Sequence, residues 1–195
     1  MNSINIRHIL KAAHPKVIAF ALICLLLSSC APSIHDATAR GRIESVKLLL
    51  EQSPALVDDR DGKLKTPLHK AVTYKQHEIM ELLVAHGADM NSTDITGMTP
   101  LHVAAMLGRR DEAAWLLAHG ADPGIEDHYG DTPLHTAVIF GHGQIVGMLV
   151  KHGISPDAPN GNDETPAALA VAYRQERVAQ YLDHLLRRRD TTSDQ

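Results

Sequence analysis

The chain has 195 residues, of which 44% are hydrophobic and 22% are charged, and this is the composition of an ordinary globular domain. The formal net charge is −4, but the first 30 residues hold three basic residues and no acidic one, which leaves −7 for the rest of the chain. Nucleic-acid binding needs a clustered basic face, so we expect no nucleic-acid partner for so acidic a chain.

The N-terminal segment has the pattern of a secretory signal. Residues 1–16 are basic and polar, and residues 17–27 form an uninterrupted apolar run of 11 residues. This run is shorter than the ~20 residues that a helix needs to span a bilayer. It ends in Leu27-Ser28-Ser29-Cys30. This tetrapeptide resembles the lipobox of bacterial lipoproteins, in which Leu and two small residues precede a cysteine.

The lipoprotein resemblance implies that residues 1–29 are removed as a signal peptide and that Cys30 is lipidated, so that residues 30–31 form the anchor to the membrane. Cys24 would leave with the signal, and Cys30 would be the only cysteine of the mature chain. More than one acyl chain gives stable attachment. By the same resemblance, Ala31 after the cysteine implies an outer-membrane location facing the periplasm. The alternative is cleavage after Ala31 by an ordinary signal peptidase.

A 33-residue period follows the signal. The tetrapeptide Thr-Pro-Leu-His begins at Thr66, Thr99 and Thr132, and Thr165-Pro166 keeps the same spacing. A fixed period of this length indicates a solenoid, in which one supersecondary unit is stacked several times. The units 66–98, 99–131 and 132–164 resemble ankyrin repeats. The resemblance implies an all-α ankyrin-repeat solenoid of about five helix-turn-helix repeats with short projecting turns.

Two less regular units flank these three. Residues 32–65 carry Ile-His-Asp-Ala from Ile34 in place of Leu-His-x-Ala, lack the Thr-Pro and are one residue longer. Residues 165–189 have Ala168 where the other repeats have histidine. Terminal repeats of a solenoid depart from the pattern because one of their faces meets water. The repeats therefore cover residues 32–189, and residues 190–195 form a polar tail.

The repeated residues have structural roles. Each Thr of Thr-Pro is a predicted helix N-cap, and the following Pro suits the first helical position because its missing N–H has no partner there. Gly87, Gly120 and Gly153 are predicted to end the second helices with positive φ. We expect the same conformation in the projecting turns at Gly97, Gly130 and Asn162. Residues 61–65 are predicted to lengthen the first turn.

Thirteen histidines raise the question of a metal site. Two sets occur once in each regular repeat: His69, His102 and His135, and His86, His119 and His152. Equivalent atoms of stacked helices lie about 10 Å apart, whereas zinc needs nitrogen ligands at about 2 Å, so we expect no metal. The ankyrin resemblance implies that the first set bridges its Thr and nearby backbone between repeats. The second set precedes Gly at a helix C-terminus, where a partly charged imidazole is favourable.

Positions that vary within the repeat indicate where a partner binds. The resemblance places partner contacts at the turn tips and at the ends of the first helices, which line a concave face. We define the ladder as the apolar residues at one first-helix position in four successive repeats: Tyr74, Leu107, Phe140 and Tyr173. The predicted protein-binding surface adds the ladder's neighbours Met106 and Ile139 and the turn residues Met98, Tyr129 and Asp131. Apolar strips with aromatic anchors are typical of interfaces. The alternative is that the ladder packs against neighbouring helices.

The sequence favours a binding protein over an enzyme. It contains no nucleophile elbow, P-loop or His-Glu-x-x-His motif, so we expect no catalysis, no cofactor and no small-molecule substrate. The predicted function is that of a membrane-anchored adaptor that captures another protein. The alternative is a structural or stress-protective envelope protein without one tight partner. Arg187-Arg188-Arg189 complements the dipole of the last helix or, alternatively, contacts an anionic lipid or polymer.

Overall fold

A computed structural model describes residues 32–193, and the predicted signal peptide and Cys30 lie outside the described residues. Residues 32–193 form ten α-helices and no β-strand, which confirms the all-α solenoid. The first helices of the five repeats are α1 Ile34–Ala39, α3 Pro67–Thr73, α5 Pro100–Leu107, α7 Pro133–Ile139 and α9 Pro166–Ala172. The second helices are α2 Ile43–Gln52, α4 His77–Ala85, α6 Arg110–Ala118, α8 Gly143–Lys151 and α10 Glu176–Ser193. A short 3-10 helix, Pro54–Asp58, follows α2.

The first helices begin where the sequence predicts. Thr66, Thr99, Thr132 and Thr165 are extended N-cap residues, and a Pro follows each of them at the start of the helix. The hydroxyls of Thr99 and Thr165 accept the backbone N–H of His102 and Ala168, at 3.4 Å and 3.3 Å. The Thr-Pro pair therefore sets the start of four of the five first helices, α3, α5, α7 and α9, through local chemistry.

The helices pack in two layers. Each first helix packs against the first helix of the next repeat, and each second helix lies behind its own first helix. Small residues such as Ala71, Ala104 and Ala137 are fully buried between the first helices, which lets the backbones approach closely. Leucines of the second helices, among them Leu116 and Leu149, fill the space between the layers. The core is thus one continuous apolar cluster that runs through all five repeats.

The structure corrects two expectations about the projecting turns. The positive φ of the fourth turn belongs to Asp163, with φ 60°, and not to Asn162, because Asp163 is the residue 33 positions after Gly130. The first turn is not lengthened: Asp61 N–H donates to Lys65 O as Asp94 N–H donates to Met98 O. The extra residue of the first repeat lies instead in α2, which has 10 residues where α4 has 9.

The last repeat ends the array with an open side. Val171 of α9 is 72% exposed, whereas its counterparts Val72 and Val138 are fully buried by the repeat that follows them. Helix α10 is 18 residues long and continues to Ser193, through the first residues of the predicted polar tail. Helix α10 is thus longer than α9, the first helix of the same repeat.

Candidate protein-binding surface

The histidine of each Thr-Pro-Leu-His joins the start of a first helix to the turn that follows the same repeat. His69 Nδ1 accepts the backbone N–H of Thr66 at 3.1 Å, and its Nε2 donates to the carbonyl of Met98 at 3.0 Å. His102 makes the same two contacts, with Thr99 at 3.1 Å and with the carbonyl of Asp131 at 2.9 Å. This confirms that these histidines bridge their Thr to backbone, but the bridge closes within one repeat and does not join two repeats as predicted.

These contacts fix the protonation of the ring. Because a carbonyl only accepts and the Thr66 N–H only donates, His69 must carry its proton on Nε2 and keep Nδ1 as an acceptor. A second proton would have to enter at Nδ1 and would face that N–H. Burial lowers the pKa of His69 to about 4 against opposition from the Met98 carbonyl, and burial also lowers the pKa of His102. Both rings are therefore neutral structural links at pH 7.

The second histidine set lies at the C-terminal ends of the second helices, as predicted. His86, His119 and His152 follow the last residues of α4, α6 and α8, and each Nδ1 lies 2.7–2.9 Å from the carbonyl four residues earlier. Nδ1 is therefore the donor, and the imidazole gives this carbonyl a second hydrogen bond beside the one that it accepts from the histidine's own backbone N–H.

One acidic or amide side chain shapes each projecting turn. Asp61, Asp94, Asp127 and Asn160 occur at 33-residue intervals, and in each the Oδ1 atom accepts the backbone N–H groups two and four residues later, at 2.8–3.2 Å. Partial burial opposes ionisation of Asp61, but the contacts from Lys70, Lys65 and Lys63 outweigh it and lower its pKa. The turns are therefore held in one conformation by local hydrogen bonds.

Adjacent turns are also joined to each other. Ile95 N–H donates to Lys63 O at 3.0 Å, and His128 N–H donates to Thr96 O at 3.1 Å. Gly130 has φ 76°, and a Cβ there would lie 2.3 Å from the backbone nitrogen of Gly161. Only glycine permits this approach of the third and fourth turns. The tips consequently form one row across the repeats.

The ladder is exposed along the ends of four first helices. Tyr74, Leu107, Phe140 and Tyr173 are 52%, 37%, 50% and 53% exposed. Each is the last residue of its first helix or its C-cap, and a residue with positive φ follows it directly. The backbone turn holds each side chain at the same register position in its repeat. The ladder side chains are thus accessible to solvent, and packing between the first helices does not bury them completely.

A second set of contacts supports the ladder from behind. At three positions spaced by 33 residues, a long polar side chain reaches the carbonyl that precedes the ladder residue of the previous repeat. Arg109 Nη2 lies 3.1 Å from Thr73 O, His142 Nε2 lies 3.2 Å from Met106 O, and Gln175 Nε2 lies 3.0 Å from Ile139 O. These three side chains differ in type, but each forms a hydrogen bond that links the end of one first helix to the next repeat. We call these three contacts the clamps.

The other predicted site residues fall into three groups. Tyr129, at a turn tip, is 67% exposed. Met98, Met106 and Ile139 are partly buried, and the carbonyl of Met98 is taken by His69. Asp131 is buried, and its carboxylate accepts from Asn160 Nδ2 at 2.7 Å; burial raises its pKa, although that hydrogen bond opposes the rise. The side chain of Asp131 joins the third turn to the fourth and does not extend toward solvent as predicted.

Two further apolar residues of the projecting turns are exposed at the tips. Leu64 and Ile95 are 44% and 55% exposed, so that the first three turns each present an apolar side chain, with Tyr129 as the third. They occupy different positions within the turn, and sequence alignment by the 33-residue period alone does not bring them together. The signal that identifies them is their location between the repeated Asp and the next Thr-Pro.

The described part of the chain contains no group of three or more His, Cys, Asp or Glu side chains arranged to hold a metal ion. Within residues 32–193, no helix combines the length and the apolar character that crossing a bilayer requires.

Comparison with known proteins agrees with this architecture. The family model described as ankyrin repeats (three copies) matches residues 34–127 and 112–186. A relative, the transient receptor potential cation channel subfamily A member 1 of Drosophila melanogaster, is 38% identical over 65 residues, which is 31% of this chain and 5% of that protein. The chain therefore spans only a small part of that relative's length. The matched residues include every repeat described above, and the chain belongs to the ankyrin-repeat family.

Proposed function

We propose that this chain is a non-catalytic adaptor that binds another protein through the ladder and holds it at a membrane. The observation that carries the proposal is the exposure of four large apolar side chains at equivalent positions of successive repeats. Exposed apolar strips of this kind are interaction sites in most proteins, and Tyr and Phe are favoured anchors. Membership of the ankyrin-repeat family supports a protein partner.

The ladder is rigid before a partner arrives. Each ladder residue is preceded or followed by backbone that hydrogen bonds tie down, and clamps from Arg109, His142 and Gln175 link three of the four first-helix ends to the following repeat. A rigid surface loses little conformational entropy on binding. The exposed tips Leu64, Ile95 and Tyr129 extend the apolar surface toward the turns.

The ladder is tested by photo-crosslinking in the native envelope. Benzoylphenylalanine at Phe140 should give a discrete crosslinked product, and Leu107→Ser combined with Tyr74→Ser should abolish it by removing two anchors. The matched control places the photo-crosslinker at Leu48, which is 54% exposed on α2. Equal products from Phe140 and Leu48, or a product that survives the double substitution with the fold intact, would overturn the placement.

We infer that the adaptor is attached through Cys30 and faces the periplasm. The support is the Leu27-Ser28-Ser29-Cys30 tetrapeptide after a short apolar run. Mass spectrometry of the mature N-terminus should find a diacylglyceryl group and an acylated amine at residue 30, and Cys30→Ser should release the chain from membranes. A mature chain that begins at residue 32 without lipid would replace the anchor with ordinary signal cleavage.

A further inference from the structure

An open groove lies along the second helices and reaches Gly141, the residue that follows the ladder residue Phe140. It has a volume of about 720 Å³ and runs between α8 and α10, with the start of α6 at one end. We call it the outer groove and define it by Arg110, Gly143, Gly147, Lys151, Arg177 and Tyr181. This volume falls in the range of about 300–1,000 Å³ that is typical of small-molecule sites.

Two glycines of α8 line the groove, and Tyr181 fills the space beside one of them, because its hydroxyl lies 2.8 Å from the position of a Cβ at Gly147. Gly143 and Gly147 are four residues apart and share one face of α8, where α4 carries His77 and Glu81. A Cβ at Gly143 would make an ordinary contact with Val178 Cγ2 at 3.7 Å, so a side chain is sterically allowed at this position. Glycine within a helix costs about 1 kcal/mol relative to alanine. Folding alone does not require glycine at position 143.

The charged residues that line the groove are all basic. Arg110, Lys151 and Arg177 line it, and no acidic residue is among the described residues that do so. Within the described part of the chain, neither Lys151 nor Arg177 forms an ion pair, and Arg110 contacts only the exposed carboxylate of its neighbour Asp111, at 3.3 Å. Three cations around one cavity contrast with the acidic character of the rest of the chain.

We propose that the outer groove binds a phosphate monoester. Two guanidinium groups offer forked pairs of donors that match phosphate oxygens, and Lys151 adds a third charge. A phosphate monoester carries about −1.5 to −2 charges at pH 7, which these cations balance better than they would a single carboxylate. Gln144 adds an amide donor, and Met148 and Val178 provide an apolar wall for a short organic stem. Such a phosphate comes either from a soluble ester or from a lipid headgroup.

The proposal is tested by calorimetric titration of the full chain in a nonionic detergent with glycerol 3-phosphate, and with glycerol as the blank. The wild type should bind the phosphate and not glycerol. Arg177→Gln should weaken binding at least tenfold, and Gly143→Leu should abolish it by filling the groove while all three cations remain. Arg174→Gln, an equal loss of charge in the same repeat but outside the groove, should bind like the wild type, as should a ladder variant.

The source of the phosphate is decided by repeating the titration in micelles doped with phosphatidic acid or with phosphatidylcholine. Loss of the glycerol 3-phosphate signal only with phosphatidic acid means that the groove accepts the lipid headgroup, and an unchanged signal means that it takes the soluble ester. Absence of binding in the wild type, unaltered binding in Gly143→Leu, or an equal loss in Arg174→Gln would overturn the groove as a phosphate site.

Discussion

At the scale of single residues, the repeated histidines couple the stability of the fold to pH. His69 is neutral in the folded state because Nδ1 already accepts from Thr66 N–H and because the ring is buried. Its pKa falls to about 4 in the folded state from the ordinary 6.5, so the unfolded chain takes up the proton first as the pH falls. The stabilising effect is complete above pH 6.5 and is lost as the pH falls toward 4.

We therefore expect acid to destabilise the repeats as the pH falls from 7 to 4. For His69 the loss of unfolding free energy between pH 7 and pH 4 should be about 3 kcal/mol, and His102 adds to it in the same direction. Urea denaturation at a series of pH values measures this loss. His69→Gln should flatten the pH dependence, and a wild-type curve that is level between pH 7 and pH 4 would contradict the proposed link.

Glu112, unlike the repeated histidines, departs from the repeat pattern: it is an acidic residue at a position where the other repeats have an apolar one. It is 3% exposed, its counterparts are Ile79, Ile145 and Val178, and its Oε1 lies 3.2 Å from Nε2 of the half-exposed His77. A buried carboxylate loses hydration that a single partner replaces only in part. The sequence carries no signal that the acid at this position is buried, because the acid interrupts an otherwise aliphatic position of the repeat.

Glu112→Ile should raise the free energy of unfolding by about 1 kcal/mol, because an aliphatic side chain fits the pattern of the neighbouring repeats. His77→Ala should lower it, since the carboxylate would then lose its partner. Chemical denaturation of both variants gives the comparison. A clear loss of stability in Glu112→Ile would show that the carboxylate makes a contribution that packing does not replace.

At the scale of helices, local rules and contacts between repeats have separate roles. Thr66-Pro67 and Gly87 were predicted because a cap, a fixed φ and a positive φ depend on a few neighbouring residues. Asp131 was misjudged because its surroundings include Asn160, which is 29 residues away. The clamps at Arg109, His142 and Gln175 could not be predicted from the sequence either. These three side chains differ in type, and each binds a carbonyl that is distant in the chain.

Helix α8 offers a test of how contacts between repeats limit the stability that is gained from a residue of higher helix propensity. Alanine at Gly147 would favour the helix by about 1 kcal/mol, but its Cβ would lie 2.8 Å from Tyr181 Oη. Without that hydroxyl, the next atom is Cζ at 3.4 Å, an ordinary contact. Gly147→Ala should therefore stabilise the Tyr181→Phe variant more than the wild type. Thermal unfolding of the four proteins measures the coupling, and equal gains in both backgrounds would contradict it.

At the scale of the whole molecule, each repeat is stabilised by the repeats beside it. The central first helices α5 and α7 have a neighbour on both sides, whereas α9 leaves Val171 exposed on its outer side. The stability of a solenoid is close to a sum of such nearest-neighbour terms. The 33-residue period was sufficient to predict this arrangement, because it depends on repetition and not on any single residue.

Amide hydrogen exchange should reveal the difference between centre and ends. Protection should be strongest in α5 and α7 and at least tenfold weaker in α9 and α10, which unfold locally at lower free-energy cost. Leu116→Ala, in the centre, should lower the unfolding free energy by about 3 kcal/mol. Uniform protection from α1 to α10 would mean that the array unfolds as a single cooperative block.

The regular packing of first helix on first helix also makes the molecule extensible. Helix α7 packs against α5 on one side and against α9 on the other. A duplicate of residues 132–164 inserted after residue 164 would therefore meet the same kind of surface on both sides and would lengthen the ladder by one more phenylalanine, about 10 Å further along the array. The length of the binding surface depends on the number of repeats. Duplication of a repeat would therefore accommodate a longer partner without a change in any existing repeat.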